Sequence, residues 1–547
     1  MTTIDTHVTS TPATAGPGLA SIGAWVTTTD HKRIGRLYLG STAVAFLAAA
    51  SVALLLGIER ISPTREWLSV GSLTQLFALQ RFGLTYLVLL PLMVGAAVAI
   101  VPLQVGARSL AFPRLAAAGF WAWLLGAALA IFSLVNNGGP GGGDRVFVDL
   151  FLLAVGIVAA GLLATVISVM TTILTARAPG MNMRRVPFFT WSVLVFSLTV
   201  VVALPVLIGN LLYLYVGHKF PSLSGLSSNL ALDGVAGAAF SQPTTILFAL
   251  PVFGFLAETV ATSTRQRLRP RGIIFTAIGL VGVAVFATVI QSAVTLRPAF
   301  LDLSLSEKLR DLVPFALVHG LPLLGAFLAV ALAAKGLATK PKVSAPLVFG
   351  LFAALLALLA VAANALAHIG DAGLIGTTFE EGNWLALVFA AVLATMGAVA
   401  YWGPKLWGPS LATKAALPLA LLAFAGAALS SLALMVAGFA DQAGGVFPSI
   451  VTGTEPIVAF DYSGPMTLWN TANAAGIALV LLAVLVFVAL SLRTFIKGDA
   501  AGDDPWDGLT LEWATTSPAP YDNFVDVHIV QSAEPLLDLK PSNRSDA

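Results

Sequence analysis

Residues 187–216 read PFFTWSVLVFSLTVVVALPVLIGNLLYLYV, an apolar run without one charged side chain. A helix needs roughly 20 such residues to cross the hydrocarbon core of a bilayer, so this stretch alone is long enough to span it. Eleven more candidates follow the same pattern, at 36–58, 82–105, 117–135, 147–175, 243–264, 272–294, 313–334, 344–367, 384–402, 416–440 and 470–492. Composition agrees: 57% of the residues are hydrophobic and 10% charged, with a mean hydropathy of +0.90, far from the values of soluble domains. A transmembrane barrel would show short alternating segments, and these runs do not alternate. The expected fold class is an all-α polytopic membrane protein with twelve transmembrane helices.

Basic residues fall in alternate loops: Arg108 and Arg114; Arg177, Arg184 and Arg185; Arg265, Arg267, Arg269 and Arg271; Lys335, Lys340 and Lys342; Lys405 and Lys414. Short cytoplasmic loops are enriched in Lys and Arg, so these loops and both termini are expected to be cytoplasmic. The opposite loops, including 138–143 and 436–464, are rich in Gly, Ser and Pro. The chain divides into a cytoplasmic tail without structure over 1–26, a membrane domain over 27–497 and a cytoplasmic tail over 498–547. Residues 1–20 lack the basic flank and apolar core of a signal peptide, which leaves targeting to the first span. The formal charge of +2 carries no implication of nucleic-acid binding, because topology accounts for the basic residues. The absence of cysteine excludes disulfides, iron–sulfur clusters and thiolate-bound zinc or copper within the chain. No phosphate-binding loop, nucleophile elbow or paired-His protease motif occurs. The glycine run at 138–143 follows a span and lacks a flanking strand, so it reads as an outer loop rather than a nucleotide cradle.

Several segments are similar to one family in order along the chain. Thr28-Thr29-Asp30-His31-Lys32-Arg33-Ile34-Gly35 leads into the first span. Val101-Pro102-Leu103-Gln104-Val105-Gly106-Ala107 comes next, then Ala111-Phe112-Pro113-Arg114-Leu115 and Arg177-Ala178-Pro179-Gly180-Met181. Pro187-Phe188-Phe189, Trp191-Ser192-Val193, Leu204-Pro205-Val206-Leu207, Trp402 with Pro404-Lys405, and Leu511-Glu512-Trp513 with Ser517-Pro518 complete the set. Together they resemble subunit I of the cytochrome c oxidases, in the haem-copper oxidase family, from about residue 27 to 525. The resemblance implies a twelve-helix bundle of the subunit I type, a low-spin haem held by two histidines, a high-spin haem held by one, and a copper held by three. It also implies partners resembling subunits II and III, and residence in a bacterial plasma membrane.

The six histidines of this chain do not fall where that family places its ligands. The second-helix haem ligand position falls on Gln80. In the sixth helix the family's His-Pro-Glu-Val-Tyr is Gln242-Pro243-Thr244-Thr245-Ile246 here, so Gln242 replaces a copper ligand, Thr244 a proton-relaying acid and Ile246 the cross-linking tyrosine. The seventh-helix histidine pair falls near Ile290 and Gln291. The tenth-helix pair falls on Gly382 and Trp384, or on Asn383 and Leu385 if the register shifts by one. Ser109 stands at the acid of one proton path and Val318, beside His319, at the lysine of the other. Asp441 and Gln442 occupy the arginine pair that binds haem propionates, where Asp441 would repel rather than fork onto a carboxylate. Imidazole is what holds iron and copper in this setting, and Gln, Ile, Gly and Trp offer no comparable donor. No haem or copper is therefore expected.

An unfilled haem slot would leave a costly void, so Phe82, Tyr86, Phe248, Phe253, Trp384 and Phe389 are candidate fillers as well as ordinary packing aromatics. Of the histidines, His7 and His528 sit in polar tails, His31 in the entry motif, His218 beside Lys219 and His368 at the outer end of the ninth span. His319, the one inside a predicted span, reads as a satisfied interior histidine rather than as half of a haem site with His368. Asp149, Glu258, Glu380 and Glu381 lie near helix ends, and Glu258 reads as structural. With so few ionisable groups at the midplane, ion-coupled transport is disfavoured. The leading expectation is a non-catalytic, cofactor-free homologue acting as a scaffold or interaction subunit of a respiratory-type complex. The alternatives are a working terminal oxidase that reduces oxygen with cytochrome c electrons, and a pore or carrier that reuses emptied haem cavities.

Overall fold

The computed structural model describes residues 19–62, 67–140, 143–220, 244–290, 294–339, 341–444, 451–452, 455–456, 465–525 and 529–539. Twelve helices are long and apolar enough to cross a membrane: α1 (His31–Glu59), α2 (Ser72–Gln104), α3 (Pro113–Val135), α4 (Arg145–Thr175), α5 (Phe188–Lys219) and α6 (Thr245–Thr264). The second half adds α7 (Arg271–Ile290), α8 (Leu305–Leu337), α9 (Ala345–Ala367), α10 (Thr378–Trp407), α11 (Thr413–Phe439) and α12 (Pro465–Lys497). The chain is an integral membrane protein of all-helical architecture.

Most helices run beyond the apolar stretches that announce them, because polar residues cap and extend them where the chain leaves the hydrocarbon. Asp30 caps α1 by accepting from the Lys32 amide, and Asp144 caps α4 by accepting from Val146 and Phe147. The largest differences from the sequence reading are α2, which begins at Ser72 rather than 82, and α8. Helix α8 begins at Leu305 rather than 313, since Ser304 and Glu307 form a reciprocal capping box ahead of charged first turns that hydropathy does not register. Residues 19–26, assigned above to an unstructured tail, form a short helix.

Sequence neighbours pack as neighbours (α1 on α2, α3 on α4 and so on), and α12 returns to α1. Three helices form the centre. The most apolar eighteen-residue windows of α2 and α6 are 100% buried and that of α10 94%, against 39% for α1, α3, α8 and α12. Where helices pack most tightly, glycine is the reason, as expected in a solvent that gives apolar side chains no incentive to associate. A Cβ on Gly119 of α3 would stand 2.5 Å from the Gly161 carbonyl oxygen of α4, and one on Gly426 of α11 2.7 Å from that of Gly476 on α12.

Two helices widen locally by one backbone register. Residues Gly83–Leu89 of α2 and Ala316–Gly320 of α8 are π-helical, with the Leu90 amide reaching the Thr85 carbonyl and Leu321 that of Ala316. In each case a proline, Pro91 or Pro322, follows two residues after the wide turn. Proline lacks an N–H and collides with the carbonyl one turn back, and a wide turn relieves both. Helix α6 answers Pro251 differently, tightening to i→i−3 bonds at Ala249 N–Ile246 O (3.2 Å) and Val252 N–Ala249 O (3.0 Å).

The segment after α12 closes the end of the bundle that carries both termini. His31 lies 2.9 Å from Asn523 Oδ1, and Lys32 Nζ donates to the same oxygen at 2.9 Å. The Asn523 amide in turn donates to the Ala107 carbonyl at 2.8 Å. Buried Lys405 donates to the Asp503 and Thr515 carbonyls. Glu512 accepts from Gln104 Nε2 at 2.9 Å and from Trp402 Nε1 at 3.1 Å, while its second carboxylate oxygen has no partner. Burial raises the Glu512 carboxyl above its ordinary 4.5, against the lowering effect of those two donors.

Two outcomes follow from these contacts. Replacing Gly119 by Leu forces α3 and α4 apart and is expected to cost about 1–3 kcal/mol, read as a lower midpoint of thermal unfolding in detergent. The docked Glu512 holds a proton that the undocked segment releases, so its contribution is present at low pH and is lost as pH climbs above 4.5 towards the raised value. Protease cleavage after residue 498 should therefore accelerate with rising pH in the native chain, and Glu512→Gln, which keeps the acceptor and removes the titration, should flatten that dependence.

Candidate functional site

Of the described haem-ligand positions of the resemblance, Trp384 is the one that meets another central helix. Gln80 is buried in the first half of α2. Trp384, 3% exposed, donates its indole N–H to Thr85 Oγ1 at 3.1 Å, inside the wide turn of α2. Arg81 lies over the Trp384 ring at 5.7 Å. Phe82 stacks on Tyr86 at 6.3 Å and meets Phe151 edge-on at 5.7 Å, and Tyr86 meets Phe248 of α6 at 6.1 Å. Phe253 and Phe389 are buried as well. The six aromatics named as candidate fillers thus lie in the interior: Phe82, Tyr86 and Phe248 form one aromatic cluster, and Trp384 packs separately with Thr85 and Arg81.

The candidate tenth-helix positions face different neighbours. Trp384 is the position turned to α2, whereas Asn383 turns to α9, its amide placed to donate to the Ala360 carbonyl at 2.7 Å. Gly382 faces α11: a Cβ there would stand 2.5 Å from the Ser431 carbonyl oxygen and 3.0 Å from Leu434 Cβ. An imidazole has no room at that position in this packing. Ile290 ends α7 with 52% of its surface exposed, so it does not face the centre. Gln242 and Gln291 lie outside the described residues, as does the side chain of Thr244. At the described positions Gln80, Gly382, Trp384 and Ile290 carry no imidazole, and Trp384 stands between α10 and α2, bonded to Thr85.

The proton-path positions are apart from one another. Ser109 is exposed and bonds only to the neighbouring Leu110 carbonyl. Ile246 is buried in the main core, and Val318 packs with Ala287, Val294 and Phe315. Asp441 takes a left-handed turn with φ 60°, and Gln442 is buried, donating to Asn470 Oδ1 at 3.1 Å. Asn470 donates to the Arg60 carbonyl, and the Arg60 guanidinium pairs with Glu381 at 2.8 Å. Arg60 escaped the sequence reading. It is a cation at the right end of the bundle for an anionic group, but Glu381 already neutralises it.

The four histidines among the described residues are all hydrogen-bonded to protein groups. His319 lies in the wide turn of α8 with both ring nitrogens engaged: Nε2 is 2.9 Å from the Val294 carbonyl oxygen and Nδ1 3.1 Å from the Asn364 amide. His368 bonds the Asn364 carbonyl at 2.7 Å, and the two rings stack at 4.3 Å, which leaves no slot for a macrocycle between them. His31 and His218 also prove to be buried helix residues, with His218 2.7 Å from Asp149. That corrects the reading of His319 as the one histidine inside a span. Glu258 accepts from Thr510 Oγ1 at 3.1 Å, anchoring the segment after α12.

Comparison with known proteins agrees with the architecture. The profile of the family "Cytochrome C and Quinol oxidase polypeptide I" matches residues 33–290. A chain named as a cytochrome c oxidase subunit 1-beta from Streptomyces coelicolor is 30% identical over 94% of this chain and 90% of its own length. Cytochrome c oxidase subunit 1 of Bacillus subtilis is 26% identical over 94% of this chain and 82% of its own, and that of Corynebacterium glutamicum 27% over 98% and 92%. The fold and these matches define a haem-copper-oxidase-type bundle. This chain belongs to the cytochrome c and quinol oxidase subunit I family.

Because Trp384 plugs the α2–α10 gap, Trp384→Ala should open a cavity there and cost about 3–5 kcal/mol. Thermal unfolding should show the loss, whereas Thr85→Val, which removes one hydrogen bond, should cost only about 1 kcal/mol.

Proposed function

We propose that this chain is a non-catalytic member of its family that works without haem or copper, as a scaffold or interaction subunit of a respiratory-type membrane complex. The observation that carries this reading is Trp384. At a tenth-helix position that the family resemblance, in one of its two registers, assigns to an iron-binding histidine stands an indole, bonded to α2 with Arg81 over its ring. Gln80 offers an amide in place of an imidazole, and amide oxygens are poor partners for haem iron. Gly382, pressed against α11, leaves its position without a donor. In the scaffold role the outer helices would carry partners resembling subunits II and III, with the termini on the cytoplasmic side.

A working oxidase is the competing reading, and the full-length match to relatives named as cytochrome c oxidase subunits favours it. One preparation separates the two. The chain purified with its partners from its native membrane should be colourless, with neither a Soret band nor bound iron or copper in stoichiometric amount, and should bring other membrane subunits with it. A dithionite-reducible Soret band at one haem or more per chain would overturn the proposal.

A further inference from the structure

Helix α8 is longer than the membrane it crosses. Its 33 residues, Leu305–Leu337, extend about 50 Å at 1.5 Å per residue, against roughly 30 Å of hydrocarbon. Lys335 stands in the last turn, so about 20 spanning residues counted back from it reach Phe315. Residues 305–314 are the overhang, at the end of the bundle away from both termini. Even a tilt of about 40° lengthens the spanning stretch by only about six residues and leaves Leu305 outside. The charged side chains of Glu307, Lys308, Arg310 and Asp311 agree with a place beyond the hydrocarbon.

The overhang is a preformed helix with one face uncovered. Ser304 and Glu307 cap it reciprocally, and Arg297 braces its back, 2.7 Å from Asp311 and 3.7 Å from Glu307. None of residues 305–315 is buried. At 3.6 residues per turn Leu305, Leu309, Leu312 and Val313 share a face about 100° wide. All four are exposed, Leu305 by 74%. Further along α8, exposed Leu317, Leu324 and Phe327 have lipid to cover them. The backbone stays helical at Phe315, Ala316, Gly320 and Leu321, so no hinge lays the overhang down on the membrane. An upright helix presents its leucines to headgroups and water, which do not bury them.

Charge around this face selects the occupant. By the same helical period Lys308 and Arg310 stand on either side of the leucines, and Glu307 and Asp311 lie behind. Both acids are held by Arg297, and neither flanking cation has an ion-pair partner among the described residues. A leucine seam between two unpaired cations is what one strand of a helix pair offers to a partner with acidic flanks. A second copy of this chain would set cation against cation. We propose that the overhang of α8 docks a helix of another membrane subunit, apolar along its seam and acidic on both flanks, that rises beside α8. The assignment deepens the scaffold reading and rests on it for the existence of a resident partner, but its test does not involve haem content.

The test uses the full chain in phosphatidylcholine nanodiscs and two labelled synthetic helices of about three heptads. Both have a leucine seam, one flanked by glutamate and its twin by lysine. Fluorescence anisotropy should show the glutamate helix bound more tightly than the lysine helix by about fivefold, the effect of two exposed ion pairs. Lys308→Glu with Arg310→Glu should reverse that order. Leu305→Ser with Leu309→Ser should weaken binding of the glutamate helix by about tenfold. Equal binding of the two helices by the native chain, or an order unchanged by the charge reversal, overturns the proposal. So does a nitroxide on Leu305→Cys that is relaxed by oxygen rather than by a water-soluble nickel chelate, which places the face in lipid, or a dimer of this chain that Leu309→Lys dissociates. If the charge-reversed variant does not fold, undiminished binding by the serine variant overturns the proposal instead. A Soret band in the native complex would sink the scaffold reading and leave each of these results readable.

Discussion

The hydrocarbon core of a bilayer offers no water to an unsatisfied backbone group, and every feature of this protein answers to that constraint. Spanning segments must be helices, because only a helix satisfies its own amides and carbonyls. Where proline breaks the ladder, at Pro91, Pro251 and Pro322, the chain widens or tightens its helix by one register instead of opening it. Nothing apolar drives the helices together in lipid, so close approach rests on glycine pairs such as Gly119 with Gly161 and on polar ties such as Trp384 to Thr85.

The same constraint explains how charge is handled. Ionisable side chains within the helices are engaged near the ends of the bundle: Arg60 by Glu381, Asp149 by His218 and Lys219, Lys405 by backbone carbonyls of the following segment. The segment after α12 belongs to the folded unit, because Glu512, Asn523 and Trp513 satisfy polar groups that α1, α2 and α10 would otherwise leave buried and open. Arg36 has no carboxylate partner among the described residues and is held by the Leu406 carbonyl and the Trp407 ring.

In the proposed scaffold role, family membership and chemistry separate along a physical line. The bundle is maintained by glycine contacts, helix caps and aromatic packing, none of which needs a metal. Phe82, Tyr86, Trp384 and Phe248 supply packing volume between α2, α6 and α10. A member of this family can therefore keep its fold while its ligand positions drift, and a scaffold role asks for no more than the shape.

Hydropathy alone placed all twelve helices, since an apolar run of spanning length has one outcome in a bilayer. The ordered motifs from Asp30 to Pro518 carried the family, and single positions such as Gln80 showed which donor was present. The extension of α8 to Leu305, the helix at Leu19–Val26, the pairing of Arg60 with Glu381 and the stacking of His319 on His368 were not legible, because each depends on polar groups meeting across the sequence. Composition and spacing determined that this chain spans the membrane twelve times and which side chains it brings. Only tertiary packing decided which of them face one another, since direction around a helix axis is set by the neighbours that fill the space beside it.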